Sequence, residues 1–252
     1  MQIKNLILIA AIACCGTAGA ASQGESGTRE SLIEAKLVAG NHESLFETEM
    51  LDRWSVGIDC SWLHRKVVMA GGDKQTLDAR VASAYIGLDP LSWLMIYGTA
   101  GATQSRWSDE DDYAVAEFKW SAGLRANWWH VDIADPAFMA GQLSFRSNIE
   151  FTKFQSDADM DWQEFYADLT ANYEVFVNSI RATDRYPYSV VWYLGPAASK
   201  LSGSVNGLDF SEETAVGAVA GADLYLAPNL AFGAQVQYFG TTSYSGSLRY
   251  HF

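Results

Sequence analysis

Cysteine is scarce in this chain. Three cysteines occur in 252 residues, and two of them, Cys14 and Cys15, lie in an apolar run near the N-terminus. If that run is removed, Cys60 is the only cysteine left. A chain with one cysteine forms no internal disulfide, so a disulfide-stapled fold is excluded for the mature protein.

Long apolar runs and basic residues are also few. Residues 6–15 form the one long apolar segment, and it is too short to cross a bilayer as a stop-transfer helix. The chain has 17 Lys and Arg against 30 Asp and Glu, a formal net charge of −13. This balance excludes nucleic acid as a partner, because phosphate binding requires clustered Lys and Arg.

The N-terminus has the layout of a secretory signal peptide. Lys4 supplies a positive charge, residues 6–15 supply an apolar core, and Ala18-Gly19-Ala20 is a small-residue cleavage site. We therefore expect cleavage after Ala20, with residues 1–20 removed. A lipoprotein site at Cys14 is the alternative. Residues 21–50 are expected to be an N-terminal periplasmic segment, either a short helix or an additional strand.

The chain is rich in aromatic residues, and its apolar and polar residues alternate regularly. Aromatic residues make up 13% of the sequence and charged residues only 19%. From Trp54 onward, apolar and polar residues alternate with a period of two, which predicts half-buried strands. We count ten strands, with eight or twelve as alternatives. The clearest strand has Ala116, Phe118, Trp120, Ala122, Leu124, Ala126 and Trp128 on one face, and Trp128 and Trp129 end it where an aromatic girdle is expected.

The C-terminus carries a further signal. Tyr244, Leu248, Tyr250 and Phe252 share one face of a final strand, and the chain ends on an aromatic residue. This pattern resembles the closing strand of bacterial outer-membrane β-barrels. The resemblance implies an all-β, transmembrane, antiparallel up-and-down β-barrel over residues 51–252, located in the cell outer membrane. It also implies an assembly signal for the barrel-assembly machinery, made of Leu248, Tyr250 and Phe252.

The turns divide into two sets. Pro-containing turns at Asp89, Asp135 and Pro228 alternate along the chain with acidic tips at Asp109 and Asp157 and with Asn206-Gly207, so the two sets are expected at opposite ends of the barrel. Trp107 and Trp162 flank the acidic tips and are expected to mark the outer aromatic girdle. Gly195-Pro196 is expected to form a β-bulge, because proline cannot donate to a ladder.

The polar face predicts the lining of the lumen. In a barrel this face points inward, and it carries six acidic and four basic residues. Small barrels are largely filled by side chains, which favours a plugged interior or a very narrow pore over an open channel. The predicted lumen-lining residues are Asp59, Asp78, Arg80, Glu117, Lys119, Arg125, Arg146, Glu150, Glu164 and Asp168.

Catalytic and metal-binding signals are weak. No Gly-x-Ser-x-Gly or His-Glu-x-x-His motif occurs, and no serine or aspartate adjoins His64 in the sequence. Asp157, Asp159 and Asp161 have alternate spacing but lack the glycine and distal glutamate of a helix-loop-helix calcium site. We therefore expect no metal, no cofactor and no enzymatic activity.

The leading hypothesis is a structural or narrow-pore, porin-like barrel in contact with outer-membrane lipid and lipopolysaccharide. One alternative is an outer-membrane enzyme that acts on envelope lipid or peptide. Another is a soluble secreted β-sandwich, which would bury the apolar face of each strand against a second sheet.

Overall fold

The computed structural model describes residues 53–108, 112–133, 141–155, 160–176, 189–227 and 229–252. The predicted signal peptide (1–20), the N-terminal segment (21–50) and the turn residues Asp109, Asp135, Asp157 and Pro228 lie outside these ranges. No helix in the described ranges is long and apolar enough to cross a membrane. The described strands are β1 (Trp54–Met69), β2 (Lys74–Leu91), β3 (Leu94–Trp107), β4 (Glu117–Ile133), β5 (Gly141–Gln155), β6 (Met160–Phe176), β7 (Ser189–Val205), β8 (Leu208–Glu212), β9 (Val216–Ala227), β10 (Leu230–Tyr238) and β11 (Thr242–His251).

Ten of these strands close into an antiparallel barrel. Neighbours from β1 to β7 pair in sequence order, and β7, β9, β10 and β11 continue the sheet. The seam pairs β11 with β1, from Ser55–His251 to Trp62–Tyr244. Closure pairs the strand edges with one another, which is what a sheet in lipid requires. The prediction of an all-β barrel of ten strands is therefore confirmed, and in the described ranges neither a two-sheet sandwich nor an eight- or twelve-stranded barrel is formed.

The additional strand, β8, narrows one end of the barrel. It pairs with β7 at Ser202–Val205 and with β1 at Val67–Met69. β8 and β9 run in the same direction along β7, so they form one interrupted strand. Beyond the short β10–β11 hairpin, β8 alone fills the space between β7 and β1. The described wall therefore has eight strands at this end and ten strands elsewhere. We call this end the plugged end, and we call the end where β1 begins and β11 finishes the terminal end.

An apolar core fills the plugged end. The side chains of Leu77, Val67 and Leu201 are fully buried there, and the Trp107 ring meets the Phe210 ring edge-on at 5.2 Å. The barrel is narrow at this level, so large apolar side chains reach across it and exclude water. The core consists of Val67, Leu77, Ala79, Val81, Trp107, Phe154, Trp162, Leu201 and Phe210.

Two expectations about individual aromatic residues have different outcomes. The assignment of Trp107 and Trp162 to an outer girdle is wrong, because Trp107 is only 7% exposed and Trp162 only 3% exposed. Both lie on the inner parity of their strands, where the interior becomes apolar. Trp128 and Trp129 do lie outside and are 58% and 43% exposed. Trp128 has the outer parity of Phe118 and Leu124, and a register shift between Asn127 and Trp129 turns Trp129 outward as well.

The turns follow the predicted division into two ends. The turn after Asp89-Pro90 lies at the terminal end, and the Asn206-Gly207 turn joins β7 to β8 at the plugged end. Asn206 and Gly207 have φ angles of 50° and 77°, as a two-residue hairpin turn of the primed type requires.

The predicted β-bulge at Gly195-Pro196 is wrong. The register of β7 against β6 is the same on both sides of this dipeptide, with Leu194 opposite Ala171 and Ala197 opposite Asp168. Proline removes one hydrogen-bond donor at this point, but no extra residue is inserted into the strand.

Candidate functional site in the barrel lumen

Eight of the ten predicted lumen-lining residues lie on the inner face. Six of them surround a chamber in the middle of the barrel, and Glu117 shares the inner parity of Lys119. Asp168 accepts a hydrogen bond from Asn148 Nδ2 at 3.4 Å, beside the same chamber. The six that line the chamber are Asp59, Lys119, Arg125, Arg146, Glu150 and Glu164.

Asp78 and Arg80 lie on the outer face, so their assignment to the lumen needs correction. Their neighbours Leu77 and Ala79 are 0% and 1% exposed and point inward. The rule that polar residues face the lumen reverses at the plugged end, because the interior there is apolar and the outer wall is polar. Asp78 instead pairs with His64 and with Arg106, and the Arg80 and Arg106 guanidinium groups both stack on the Tyr113 ring.

The pairing of His64 with Asp78 was missed at the level of sequence. These residues are 14 positions apart and are brought together by the register of β1 against β2. In the described ranges, Asp78 also contacts Arg106. The His64 backbone donates a hydrogen bond to Ser243 and accepts one from Thr241. Within the described ranges, no group of three His, Cys, Asp or Glu residues is arranged to hold a metal ion.

A layer of three arginines and three tyrosines crosses the lumen. The Arg146 guanidinium carbon lies 4.7 Å from the centroid of the Tyr193 ring, and that of Arg249 lies 4.8 Å from the centroid of Tyr85. The Arg125 guanidinium carbon is 5.7 Å from the centroid of the Tyr97 ring. The Tyr97 ring stacks on the Tyr85 ring, with 5.6 Å between their centroids. We call these six residues the arginine–tyrosine layer. Its cations are attracted to the ring faces, which holds the flexible arginine side chains in place.

Glycines provide the space for the tyrosine rings. A Cβ atom added to Gly123 would lie 2.3 Å from Cζ of Tyr97, and one added to Gly221 would lie 2.4 Å from Cζ of Tyr193. Each of these glycines is the cross-strand partner of the tyrosine that covers it. The tyrosine rings therefore lie flat against the wall because the residues opposite them have no side chain.

Carboxylates neutralise part of the layer. Arg249 lies 3.5 Å from Asp59, and Arg146 lies 3.8 Å from Asp223. The Tyr97 hydroxyl donates to Glu150 Oε2 at 2.9 Å, which holds that carboxylate beside the chamber. Asp223 and Arg249 were on the predicted polar face but were not selected as lumen-lining residues.

The layer separates two cavities. On its plugged-end side is the middle chamber, a cavity of about 200 Å³ that also contacts Phe154 and Trp162 of the apolar core. On its terminal side is a cavity of about 110 Å³, which we call the terminal vestibule. His251, at the end of β11, lines the vestibule.

A fully buried arginine joins the chamber to the apolar core. Arg65 is 0% exposed, and its Nη2 donates to Glu164 at 3.2 Å and to Gln237 at 3.1 Å. Its Nε lies 3.4 Å from Glu212 of β8, and the Phe239 ring covers the guanidinium at 4.0 Å. Sequence reasoning missed Arg65, although it shares the parity of Asp59 and Ser61. Its pairing with Glu212 links β8 electrostatically to the lumen.

The residues of the predicted assembly signal lie on the outer face of β11. Leu248, Tyr250 and Phe252 are 40%, 41% and 55% exposed. The Tyr250 and Phe252 rings meet edge-on at 5.3 Å, and the Phe252 backbone N–H donates to the Trp54 carbonyl at 3.0 Å. The last residue of the chain therefore completes the seam between β11 and β1.

Comparison with known proteins gives distant structural neighbours. No protein-family model and no curated protein matches this chain. Among solved structures, the translocator domain of the autotransporter NalP from Neisseria meningitidis is 12% identical, with 88% of this chain and 96% of that one covered and a TM-score of 0.33. The transport unit of the autotransporter AIDA-I from Escherichia coli is 9% identical, with 90% and 100% covered and a TM-score of 0.40.

The β domain of the Bordetella autotransporter BrkA is a third neighbour. It is 11% identical, with 78% of this chain and 99% of that one covered and a TM-score of 0.32. Identities and scores this low carry no argument about function, so the function must be inferred from the geometry of the barrel itself.

Proposed function

We propose that this protein is an integral outer-membrane β-barrel with a structural, non-enzymatic role, whose lumen is closed at the plugged end. The observation that carries the proposal is the apolar outer wall around a closed barrel. On β7, for example, 59% of Trp192 and 64% of Leu194 are exposed on the outer face. A water-soluble barrel would have to hydrate this wall, whereas lipid solvates it without cost.

The closed lumen favours a structural role over a pore. A solute that entered from the terminal end would meet the arginine–tyrosine layer and then the apolar core. Phe154 and Trp162 stack within that core, and both are almost fully buried. Ions do not cross such a dry, packed region, because their desolvation there is too costly. A narrow pore is the second candidate, and the water-sized middle chamber is the feature that favours it.

The outer face also supports the proposed lipid partners. On the outer face, Arg80 lies opposite Trp62, and His64, Asp78 and Arg106 lie beyond it, where the apolar wall gives way to polar residues. Charged side chains at this level match the headgroup zone of a membrane, and we propose that they contact lipopolysaccharide headgroups. We further propose that Leu248, Tyr250 and Phe252 are recognised by the barrel-assembly machinery.

Membrane integration is tested first. The mature protein, refolded into vesicles, should migrate differently on detergent gels before and after heating, and it should resist extraction by buffer and by urea. Extraction by buffer alone would contradict the proposal and would favour a soluble protein.

The closed lumen is tested by conductance in planar bilayers. Wild-type protein should be silent, whereas Trp162→Ala should conduct, because it removes an indole from the apolar core. Trp192→Ala is the matched control, since it removes an indole from the outer wall, and it should be silent. Steady conductance by the wild type would refute the closed lumen and favour the narrow pore.

A further inference from the structure

The terminal vestibule has an excess of positive charge. Three guanidinium groups line it, from Arg125, Arg146 and Arg249, and one carboxylate, from Asp223, faces them. These charges lie inside a barrel wall, where charge interactions are screened less than at a water-exposed surface. Asp59 also contacts Arg249, at 3.5 Å, from the chamber side, so three cations are opposed by two carboxylates and one positive charge is left over. An uncompensated charge in such a place favours the binding of a counter-anion.

The internal pairings of these arginines leave donors unused. In the described part of the chain, Arg125 has no carboxylate within salt-bridge distance, and its Nε is buried without a hydrogen-bond partner. The Nε of Arg249 is also buried and unpartnered. The contact of Arg146 with Asp223, at 3.8 Å, is longer than a hydrogen bond. A guanidinium carries five N–H donors, so this cluster has more donors than the protein's own acceptors use.

The arrangement is fixed before any ligand arrives. Each guanidinium is held against a tyrosine ring, and the glycines opposite these rings keep Tyr97 and Tyr193 close to the wall. Binding therefore costs little side-chain entropy. The vestibule has a volume of about 110 Å³, whereas one ordered water needs only roughly 10–15 Å³. It has room for an anion that is larger than a water molecule and small enough to be surrounded.

We propose that the terminal vestibule binds a small tetrahedral oxyanion of the size and charge of phosphate or sulfate, between Arg125, Arg146 and Arg249. Guanidinium groups match the oxygens of such anions with paired, charge-assisted hydrogen bonds. Asp223 opposes the anion and competes with it for Arg146, so it sets an upper limit on the affinity. This site goes beyond the structural role and requires neither conduction nor catalysis.

Anion titration of the refolded mature protein in detergent tests the site. Inorganic phosphate is added at constant ionic strength, with chloride as the balancing anion, and the heat of binding and the unfolding midpoint are recorded. The wild type should bind one phosphate saturably, with a midpoint that rises as the phosphate concentration increases. Arg125→Gln should weaken binding by about tenfold or more, the loss expected for one charged hydrogen-bonding partner.

Two further variants test whether phosphate binds at the arginines that Asp223 faces. Asp223→Asn should tighten phosphate binding, because it removes the opposing carboxylate. Lys200→Gln, which removes one positive charge from the exposed outer face of β7, should bind phosphate like the wild type. Heat-modifiable gel migration identifies the variants that have folded, and only these are compared.

Three results would overturn the proposal. The first is the absence of a saturable response in the wild type. The second is an equal response in Arg125→Gln and the wild type, which would place phosphate elsewhere. The third is weaker phosphate binding by a folded Asp223→Asn variant, which would mean that Asp223 supports phosphate binding and does not oppose the anion.

Discussion

Leu124 lies near the middle of the outer face of β4, and replacing it with arginine tests whether lipid surrounds the barrel. Outer positions on this strand run from Phe118 to Trp128 and are apolar throughout, with 46% of Leu124 exposed. Gln163 is the matched control, because it is also an exposed outer residue but lies beyond Phe165 towards the plugged end. Both variants place the same charged side chain on the outer wall, at different depths.

The expected effects differ because the cost of a charge depends on its depth. In a membrane, arginine on the lipid face of a barrel costs about 2–4 kcal/mol at the midplane and about 0–1 kcal/mol near the interface. With a urea dependence of about 2 kcal/mol per molar, Leu124→Arg should lower the unfolding midpoint by about 1–2 M. Gln163→Arg should lower it by less than about 0.5 M. In water, both substitutions would change the free energy of unfolding only slightly, as surface substitutions usually do.

The assay is reversible urea unfolding in lipid vesicles, followed by tryptophan fluorescence. The same two variants in a detergent micelle provide a second comparison, where a deformable apolar phase should reduce the difference between them. Equal midpoints for Leu124→Arg and Gln163→Arg in vesicles would refute the inference that the apolar wall is immersed in a bilayer.

Three further predictions concern the interior and the rim. Gly123→Ala should destabilise the barrel by about 1–3 kcal/mol, because its new Cβ meets the tyrosine ring seated on it, whereas Gly246→Ala, whose Cβ would be 3.8 Å from its nearest neighbour, should be nearly neutral by urea unfolding. Arg65→Met should destabilise by about 3–5 kcal/mol, since two carboxylates lose their buried partner, and a cost below about 1 kcal/mol would show that those carboxylates are hydrated. At the rim, a hydrogen bond from Lys74 lowers the pKa of the Glu213 carboxyl, so the pairing should be present above the ordinary pKa of 4.5 and be lost as the pH falls through the lowered pKa. Lys74→Met should return the pKa of Glu213 towards its ordinary value in an NMR titration, and an unchanged pKa would refute the pairing.

The fold class could be read from the sequence because strand period and lipid solvation act on every residue alike. Alternation over a dozen residues of β4 assigns Phe118 and Leu124 to one face and Lys119 to the other without knowledge of the neighbouring strands. The Asn206-Gly207 turn is equally local, since its positive φ angles suit those two residue types. The export signal and the assembly role of Phe252 stay predictions.

The errors occurred where the local pattern was correct but its environment was not known. Asp78 and Arg80 alternate with apolar residues as lumen residues do, yet they lie outside, because β8 narrows the barrel and the interior at that end becomes an apolar core. For the same reason Trp107 and Trp162 lie inside. Alternation distinguishes two faces of a strand, but it does not say which face meets water at a given height along the barrel.

Amphipathic strands and the aromatic residues of the final strand follow from neighbouring residues alone, because both properties are local. Which residues meet across the lumen is set by the tertiary structure. Arg125, Arg146 and Arg249 come from β4, β5 and β11, and Arg65 reaches Glu164 across 99 positions of sequence. Such contacts depend on strand register, on barrel closure and on the position of β8. The terminal vestibule and the apolar core are therefore properties of the closed barrel and of no single strand.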